Sequence, residues 1–179
     1  MPVRLRGRMA EIESTPEGDV ARWKGWYVLN ARQARWLHLG SFGGSDCHFE
    51  GDERFGEFGF HLGVIQPGEP ISMYHAEDHQ EGFLVLSGEC VAIVESEEVR
   101  LRAWDYFHCP AGTAHTLVGA GEGPCLVIGV GGRVGEDRTR YLPDPAAARH
   151  GAAVDVETCD PRVAYEGKMD PKDGRAPDF

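Results

Sequence analysis

Short apolar runs separated by glycine and proline turns dominate the middle of this 179-residue chain. They recur at regular intervals over residues 57–131 and end with the run 125–130. Each run has the length of a β-strand, and no long stretch shows the periodicity of an amphipathic helix. Many short strands with Gly and Pro turns are typical of antiparallel barrels and jelly rolls. The sequence therefore predicts an all-β protein.

Changes in residue composition and hydrophobic patterning along the chain predict three parts. Residues 1–25 form a polar N-terminal arm, of which 11–20 is expected to be a loop or flexible segment. Residues 26–132 form the barrel, and 133–179 form a C-terminal extension. Within the extension, residues 144–151 have an aspartate cap, a first-turn proline and a glycine stop, which predict a short helix. The predicted fold is a single antiparallel jelly-roll β-barrel with an N-terminal β arm and a short C-terminal helical extension.

Two imidazoles and two carboxylates lie close to turns within the β-rich region. His75 and Glu77 share one face of a strand, with Cα atoms about 6.6 Å apart, because side chains alternate along a strand. Glu81 would lie about 20 Å from His75 in an extended chain, far beyond metal–ligand reach. The chain must therefore bend at residues 78–80 if His75 and Glu81 bind one ion.

The segments that follow Glu81 are also predicted to be strands. Residues 83–86 and 90–94 flank Ser87-Gly88, and we expect them to form a hairpin across that turn. His115 follows a Pro-x-Gly turn and opens the strand 116–118. We expect this strand to bring the second imidazole back from the far side of the barrel.

The spacing of these residues resembles the two motifs of the cupin superfamily, G-x5-H-x-H-x3,4-E-x6-G and G-x5-P-x-G-x2-H-x3-N. Glu81 to Gly88 matches the end of the first motif, and Pro110, Gly112 and His115 match the centre of the second. The chain departs from the motifs in having one extra residue between Gly68 and His75. The other departures are substitutions: Glu77 for the second histidine, Trp104 for the opening glycine of the second motif and Gly119 for its closing asparagine.

The resemblance implies that His75, Glu77, Glu81 and His115 bind one divalent transition metal. Imidazoles with carboxylates suit Zn, Mn, Fe or Ni, and the order of affinities does not select among them. His79 is the alternative to Glu77, because residues 75, 77, 79 and 81 alternate in the same phase. We expect His79 to be a loop residue or a partner of a ligand.

Other histidines and cysteines carry weaker signals. His61 could face the interior, but a structural role is expected. His108 and Cys109 are neighbours in a predicted strand and point to opposite faces, so they do not form a nucleophile–base pair. Cys109 is expected to be a small core residue. The sequence around the first motif is similar to small single-domain bacterial cupins of unestablished activity.

Two functions from different classes fit these observations. The first is a metal-dependent enzyme of oxygenase, isomerase or lyase type that acts on a small polar organic substrate held in the barrel. The second is a non-catalytic protein that binds or senses a small metabolite. In an enzyme, whichever of Glu77 and His79 is not a ligand could act as an acid or base.

Composition excludes several other classes of partner. The net charge of −11 argues against nucleic acid and anionic membranes, whose binding depends on clustered Lys and Arg. The five cysteines have no C-x-x-C spacing, which is typical of reduced thiols in the cytoplasm. No apolar leader or membrane-spanning run is present in the sequence.

We predict that the protein is a homodimer in solution. Residues 23–36 hold three of the four tryptophans, and aromatic side chains are enriched at interfaces that cover sheet edges. The competing interpretation is that these tryptophans cover the outside of one barrel. Light scattering at several concentrations should give twice the chain mass of 19.7 kDa. A stable mass of one chain would rule out the dimer.

Overall fold

The computed structural model describes residues 8–22, 24–40, 42–136 and 138–179. Within these residues the chain forms fourteen strands and two short helices. The strands of the first half are β1 (Glu11–Thr15), β2 (Gly18–Arg22), β3 (Trp36–His38), β4 (Ser45–Cys47), β5 (Phe58–Ile65), β6 (His75–Ala76) and β7 (Glu81–Ser87). The remaining elements are β8 (Glu89–Val94), β9 (Glu97–Arg102), β10 (Tyr106–Cys109), β11 (His115–Ala120), β12 (Cys125–Gly132), β13 (Arg140–Tyr141), α1 (Pro145–Ala148), α2 (Pro161–Ala164) and β14 (Lys172–Gly174).

Two antiparallel sheets face each other and make the jelly-roll β-barrel predicted from the sequence. The larger sheet has the order β10-β7-β12-β5-β4-β3-β14, and the smaller has the order β13-β6-β11-β8-β9. Buried residues of both sheets pack in one core, for example Phe83 and Val127 with Leu117 and Ala92. The two sheets therefore enclose a common interior.

Period-two alternation decides which side chains of the larger sheet enter that interior. On β5, His61 and Ile65 face inward, whereas Leu62 and Val64 pack on the outer side with Trp36. The same alternation places Glu81 and other odd-numbered residues of β7 inside. Most of the inward positions are apolar, so the polar ones stand out as candidates for function.

The turn at Ser87-Gly88 does not close a hairpin, and that prediction is wrong. Strand β7 pairs with β10 and β12, whereas β8 pairs with β9 and β11 in the other sheet. The turn carries the chain from one sheet to the other. Gly88 has a φ of 73°, and a Cβ there would lie 2.3 Å from the carbonyl oxygen of Pro124. Only glycine fits this corner.

The N-terminal segment is more regular than expected. Residues 11–20, predicted to be a loop or flexible segment, belong to the hairpin β1–β2, in which Glu11 pairs with Arg22 and Thr15 with Gly18. Residues 27–30 have no regular structure, although Trp26 bridges to Met9. Cross-strand pairing, which local composition does not reveal, orders the arm.

The C-terminal extension has the predicted helix and covers parts of both sheets. Asp144 caps α1 by accepting a hydrogen bond from the Ala147 amide at 2.8 Å. The polar tail adds β14 to the edge of the larger sheet, next to β3. Phe179 ends the chain against Trp36, with ring centroids 5.3 Å apart. None of the described helices is long and apolar enough to cross a membrane.

The tryptophans differ in their surroundings. Trp36 is buried in its own chain and Trp26 is exposed, whereas Trp23 lies outside the described residues. Trp104 stands in the turn before β10 with a φ of 75°, a left-handed conformation that favours glycine, the residue of the motif at this position. Burial of Trp36 removes one tryptophan from the predicted interface, and the homodimer stays a prediction.

Candidate metal centre

A cavity of about 390 Å³ opens between the two sheets. Its walls come from β3, β4, β5 and β7 of the larger sheet, from β6 and β11 of the smaller sheet, and from the C-terminal extension. The lining residues are Leu37, Leu39, Asp46, His48, His61, Ile71, Ser72, His75, Glu77, Glu81, Phe83, His115, Leu117, Thr139, Tyr141, Tyr165 and Met169. A cavity of this size with a few convergent polar groups is typical of a small-molecule site.

The two imidazoles predicted to bind metal are cross-strand neighbours. His115, at the start of β11, pairs with His75 on β6, and their ring centroids lie 4.9 Å apart. The expectation that His115 returns from the far side of the barrel is therefore wrong, because both histidines belong to the smaller sheet. Register alone brings the two rings together.

Backbone carbonyls fix the tautomer of both rings. His75 Nδ1 lies 2.7 Å from the carbonyl oxygen of Met73, and His115 Nδ1 lies 3.1 Å from that of Thr113. A carbonyl can only accept, so Nδ1 carries the hydrogen in each ring and Nε2 is left with a lone pair. The Nε2 atoms face the cavity carboxylates. Imidazoles that bind metal through Nε2 are commonly oriented in this way.

Two carboxylates lie beside the imidazoles, and of these only Glu81 joins the group of described residues that could hold one ion. Glu81, at the start of β7, places Oε2 at 3.1 Å from His115 Nε2, and Glu77, just after β6, places Oε1 at 3.5 Å from His75 Nε2. Ligand atoms of His75, Glu81 and His115 all lie within 4.8 Å of one another. The predicted bend at residues 78–80 is present between β6 and β7. It brings Glu81 across from the larger sheet to the two histidines.

The chemistry of this cluster fits a cation. Glu81 Oε2 is buried and has no aligned hydrogen-bond donor among the described residues. With Nδ1 protonated, the Nε2 atoms of His75 and His115 are acceptors. They face the carboxylate oxygens of Glu77 and Glu81, which are also acceptors. Buried acceptors need a proton or a positive ion between them. Imidazole and carboxylate together are a common donor set for divalent transition metals.

The electrostatics of two members agree with this arrangement. Burial is the largest single influence on the pKa of His115 and lowers it, but the Glu81 carboxylate, the Thr113 carbonyl and the Glu77 carboxylate together raise it by more, and the net direction is upward. Interaction with His75 lowers the pKa of Glu77, although burial opposes it. Thr139 also donates a hydrogen bond to Glu77 Oε1 at 3.4 Å. Positive charge is thus favoured beside the imidazoles and negative charge on Glu77.

The structure places His79 and His108 away from the cluster, whereas Cys109 lies beside it, with Sγ 3.2 Å from His115 Nδ1. His79 Nε2 lies 2.7 Å from the carbonyl oxygen of Val134, and the ring does not line the cavity. Cys109 is buried, and burial raises the pKa of its thiol to about 12, so no thiolate nucleophile is available at neutral pH. His108 is exposed on the outer side of β10. Cys109 is the core residue that the alternation predicted.

Three polar cavity residues were missed or undervalued by sequence reasoning. Asp46 on β4 and His48 just beyond it carry no motif, and His61 on β5 was expected to be structural. All three line the cavity. The His48 and His61 rings lie 5.6 Å apart, and His61 packs over Gly129, where a Cβ would lie 2.3 Å from the ring. Residue spacing gave no signal for this group; only the pairing of β4, β5 and β12 reveals it.

Asp46 is the most perturbed acid of this group. Its Oδ1 atom is buried without a hydrogen-bond partner among the described residues, and burial raises the pKa of its carboxyl from 3.8 to about 7. Burial likewise lowers the pKa of His61 to about 4 and lowers that of His48. All three groups therefore favour their uncharged forms. A pKa so far from its usual value in a cavity is a common mark of a functional site.

We predict that Asp46→Asn stabilises the protein more at high pH than at low pH. The raised pKa means that the folded protein binds a proton more tightly than the unfolded chain, so wild-type stability falls between about pH 4 and 7. Each pKa unit is worth about 1.4 kcal/mol, so the gain above pH 7 reaches at most roughly 4 kcal/mol, and less if water enters. Urea unfolding of both proteins across this pH range measures the difference.

The exposed Asp155 provides the control for this experiment. Asp155→Asn should show no comparable change with pH. An Asp46→Asn stability difference that stays constant from low to high pH would contradict the raised pKa, because a carboxyl with its usual pKa is already ionised throughout that range.

Comparison with known family models gave a match to part of the chain. Residues 61–131 match the Cupin domain family, a segment that contains all four candidate ligands. A search of curated proteins gave no significant match.

A search of solved structures gave partial matches. A sugar phosphate isomerase of the cupin superfamily from Silicibacter pomeroyi is 26% identical with a TM-score of 0.46, and the alignment covers 49% of this chain and 57% of that one. KdgF from Halomonas sp. is 21% identical with a TM-score of 0.47, covering 55% and 86%. A predicted oxalate decarboxylase from Thermotoga maritima is 20% identical with a TM-score of 0.46, covering 50% and 80%. These partial likenesses carry no conclusion about activity.

The family match covers strands from both sheets of the barrel, from His61 on β5 to Gly131 on β12. It contains the Glu81-to-Gly88 spacing and the Pro110, Gly112 and His115 motif that suggested this family. Residues 61–131 are thus similar to a cupin domain, and this segment of the barrel carries the candidate metal centre.

Proposed function

We propose that this protein is a metal-dependent enzyme that acts on a small polar organic molecule inside the barrel. His75, Glu81 and His115, with Glu77 beside His75, would hold one divalent transition metal, namely Zn, Mn, Fe or Ni. The observation that carries this proposal is the convergence of His75, Glu81 and His115, in which Glu81 Oε2 is buried without an aligned hydrogen-bond donor among the described residues. An unpaired buried acceptor destabilises a fold, and a divalent cation would satisfy Glu81 and both imidazoles at once.

The proposed reaction is of oxygenase, isomerase or lyase type. A divalent ion, when bound, would supply either stabilisation of negative charge on a substrate oxygen or a site for oxygen chemistry. Other residues of the chain orient the side chains that would bind this ion. Met73 and Thr113 hold the imidazoles in orientation, and Thr139 holds the Glu77 carboxylate.

Apolar side chains would limit water around the reacting groups. Phe83 and Leu117 line the cavity from opposite sheets, and the Phe83 ring lies 5.4 Å from the His115 ring. Tyr141, from the C-terminal extension, lies 6.1 Å from the ring of His75. Excluding water strengthens electrostatic interactions within such a site. A polar substrate would thus meet its polar partners in an otherwise apolar chamber.

We predict that the purified protein keeps about one divalent metal per chain after dialysis, since the ligand atoms of His75, Glu81 and His115 lie close enough together to hold one ion. The double variant His75→Ala, His115→Ala should lose nearly all of it. His108→Ala removes an exposed imidazole outside the cavity and serves as the matched control, with metal content unchanged. Elemental analysis measures all three. Substoichiometric metal in the wild type, or undiminished metal in the double variant, would show that the assignment is wrong.

A second prediction separates Glu77 from His79. Glu77→Gln should weaken metal retention by about 10- to 100-fold, the range typical of a disturbed metal site. His79→Ala should leave it nearly intact, because that ring contacts the Val134 carbonyl instead of the cavity. Competition with a chelator ranks the two variants. The reverse order would identify His79 as the ligand.

A further inference from the structure

The wall of the cavity away from the candidate ligands carries a second set of polar groups. Asp46, His48 and His61 line the cavity together, and none of them belongs to the cluster around His75 and His115. Their ligand atoms do not converge closely enough for a second metal site among the described residues. A different kind of ligand is therefore needed to satisfy them.

The position of Asp46 explains why its side chain enters the cavity. Asp46 pairs with Gly63 on β5 and with Leu37 on β3, and Leu37 also lines the cavity. Gly63 has no side chain to cover the carboxyl, and a Cβ there would lie 3.3 Å from Asp46 Oδ1. The buried Oδ1 atom thus lies in a space that a larger residue on β5 would restrict.

We propose that Asp46, His61 and His48 form a second, metal-independent subsite that binds the hydroxyl groups of a small polyhydroxylated acid. The proposal rests on the proposed function, because the same cavity would hold the oxygen-bearing end of that molecule at the metal. It extends the proposed function by giving the chemical class of the substrate.

The uncharged character of the subsite selects hydroxyl groups. A protonated carboxyl and a neutral imidazole each both donate and accept hydrogen bonds, as a hydroxyl group does. An ammonium group only donates, so it would leave the donor atoms of these side chains without an acceptor. A phosphate or carboxylate only accepts, so it would leave the acceptor atoms of these side chains without a donor, and burial disfavours the charged forms of both imidazoles that would attract an anion. Hydroxyl groups are the partners that satisfy all three side chains.

The sheet order sets the length of the molecule. Glu81 lies on β7 and Asp46 on β4, and β12 and β5 separate them. Three inter-strand steps correspond to about 14 Å measured along the sheet, which the curvature and the two side chains shorten. His61 on β5 stands between the two ends. A chain of about six carbons can contact both ends, whereas a two-carbon acid cannot.

The test uses two probes, D-gluconate and hexanoate, which share chain length and carboxylate charge but differ in hydroxyl groups. Titration calorimetry with zinc-loaded protein at one near-neutral pH should give tighter binding of gluconate by at least about 10-fold, because a site built for hydroxyl groups rejects analogues without them. Asp46→Leu should reduce gluconate affinity by about 10-fold or more and leave hexanoate unchanged or tighter. Asp46→Asn, whose amide also donates and accepts, should stay close to wild type for gluconate.

The outcomes separate this inference from the proposed function. Metal retention with no preference for gluconate, or a preference that survives Asp46→Leu, would overturn the subsite alone. An Asp46-dependent preference in a protein that holds no metal would support the subsite and overturn the metal-dependent function. If Asp46→Leu does not fold, Asp46→Ala takes its place, with Asp155→Asn as the matched surface control. Absence of gluconate binding to the folded wild type would also overturn the subsite.

Discussion

The contact between each candidate ligand histidine and a backbone carbonyl is the interaction on which the site depends. Met73 and Thr113 each accept from the Nδ1 atom of the imidazole two residues further along the chain. These contacts fix which nitrogen carries the hydrogen and where the ring points. Strand register then pairs His75 with His115, so two equally oriented rings meet. Loss of either contact would free a ring to rotate and would disturb the whole cluster.

The barrel supports groups that would otherwise destabilise it. Glu81 Oε2 and Asp46 Oδ1 are both buried without aligned donors among the described residues, and such groups each cost on the order of 1–3 kcal/mol. The apolar core between the sheets offsets this cost, since a fully buried Leu or Phe contributes roughly 1.5–3 kcal/mol. A cation at one group and a ligand hydroxyl at the other would remove the penalty. The polar interior is therefore consistent with a function that requires it.

Local patterns in the sequence predicted the features that depend on neighbouring residues. Alternation and reach gave the shared side of His75 and Glu77 and the bend before Glu81, and capping chemistry gave α1. The hairpin at Ser87-Gly88 failed because a glycine turn between two apolar runs has the same composition whether the strands pair or change sheets. The sequence also did not indicate that Asp46 lines the cavity. Strand β4 reaches the cavity by pairing with β5, and the paired residues are far apart in the sequence.

The two ends of the cavity favour groups of different charge, and this difference would orient a bound molecule. At one end, the acceptors of Glu77, Glu81 and the two histidines favour a positive ion, and an anionic group of a ligand would gain from contact with that ion. At the other end, burial keeps His61 uncharged and raises the pKa of Asp46 to about 7, so an anionic group would lose its hydration there without meeting a positive charge. A molecule with one anionic end and one hydroxyl-bearing end would bind in a single orientation. Such discrimination arises from the unfavourable alternative as much as from the favourable contacts.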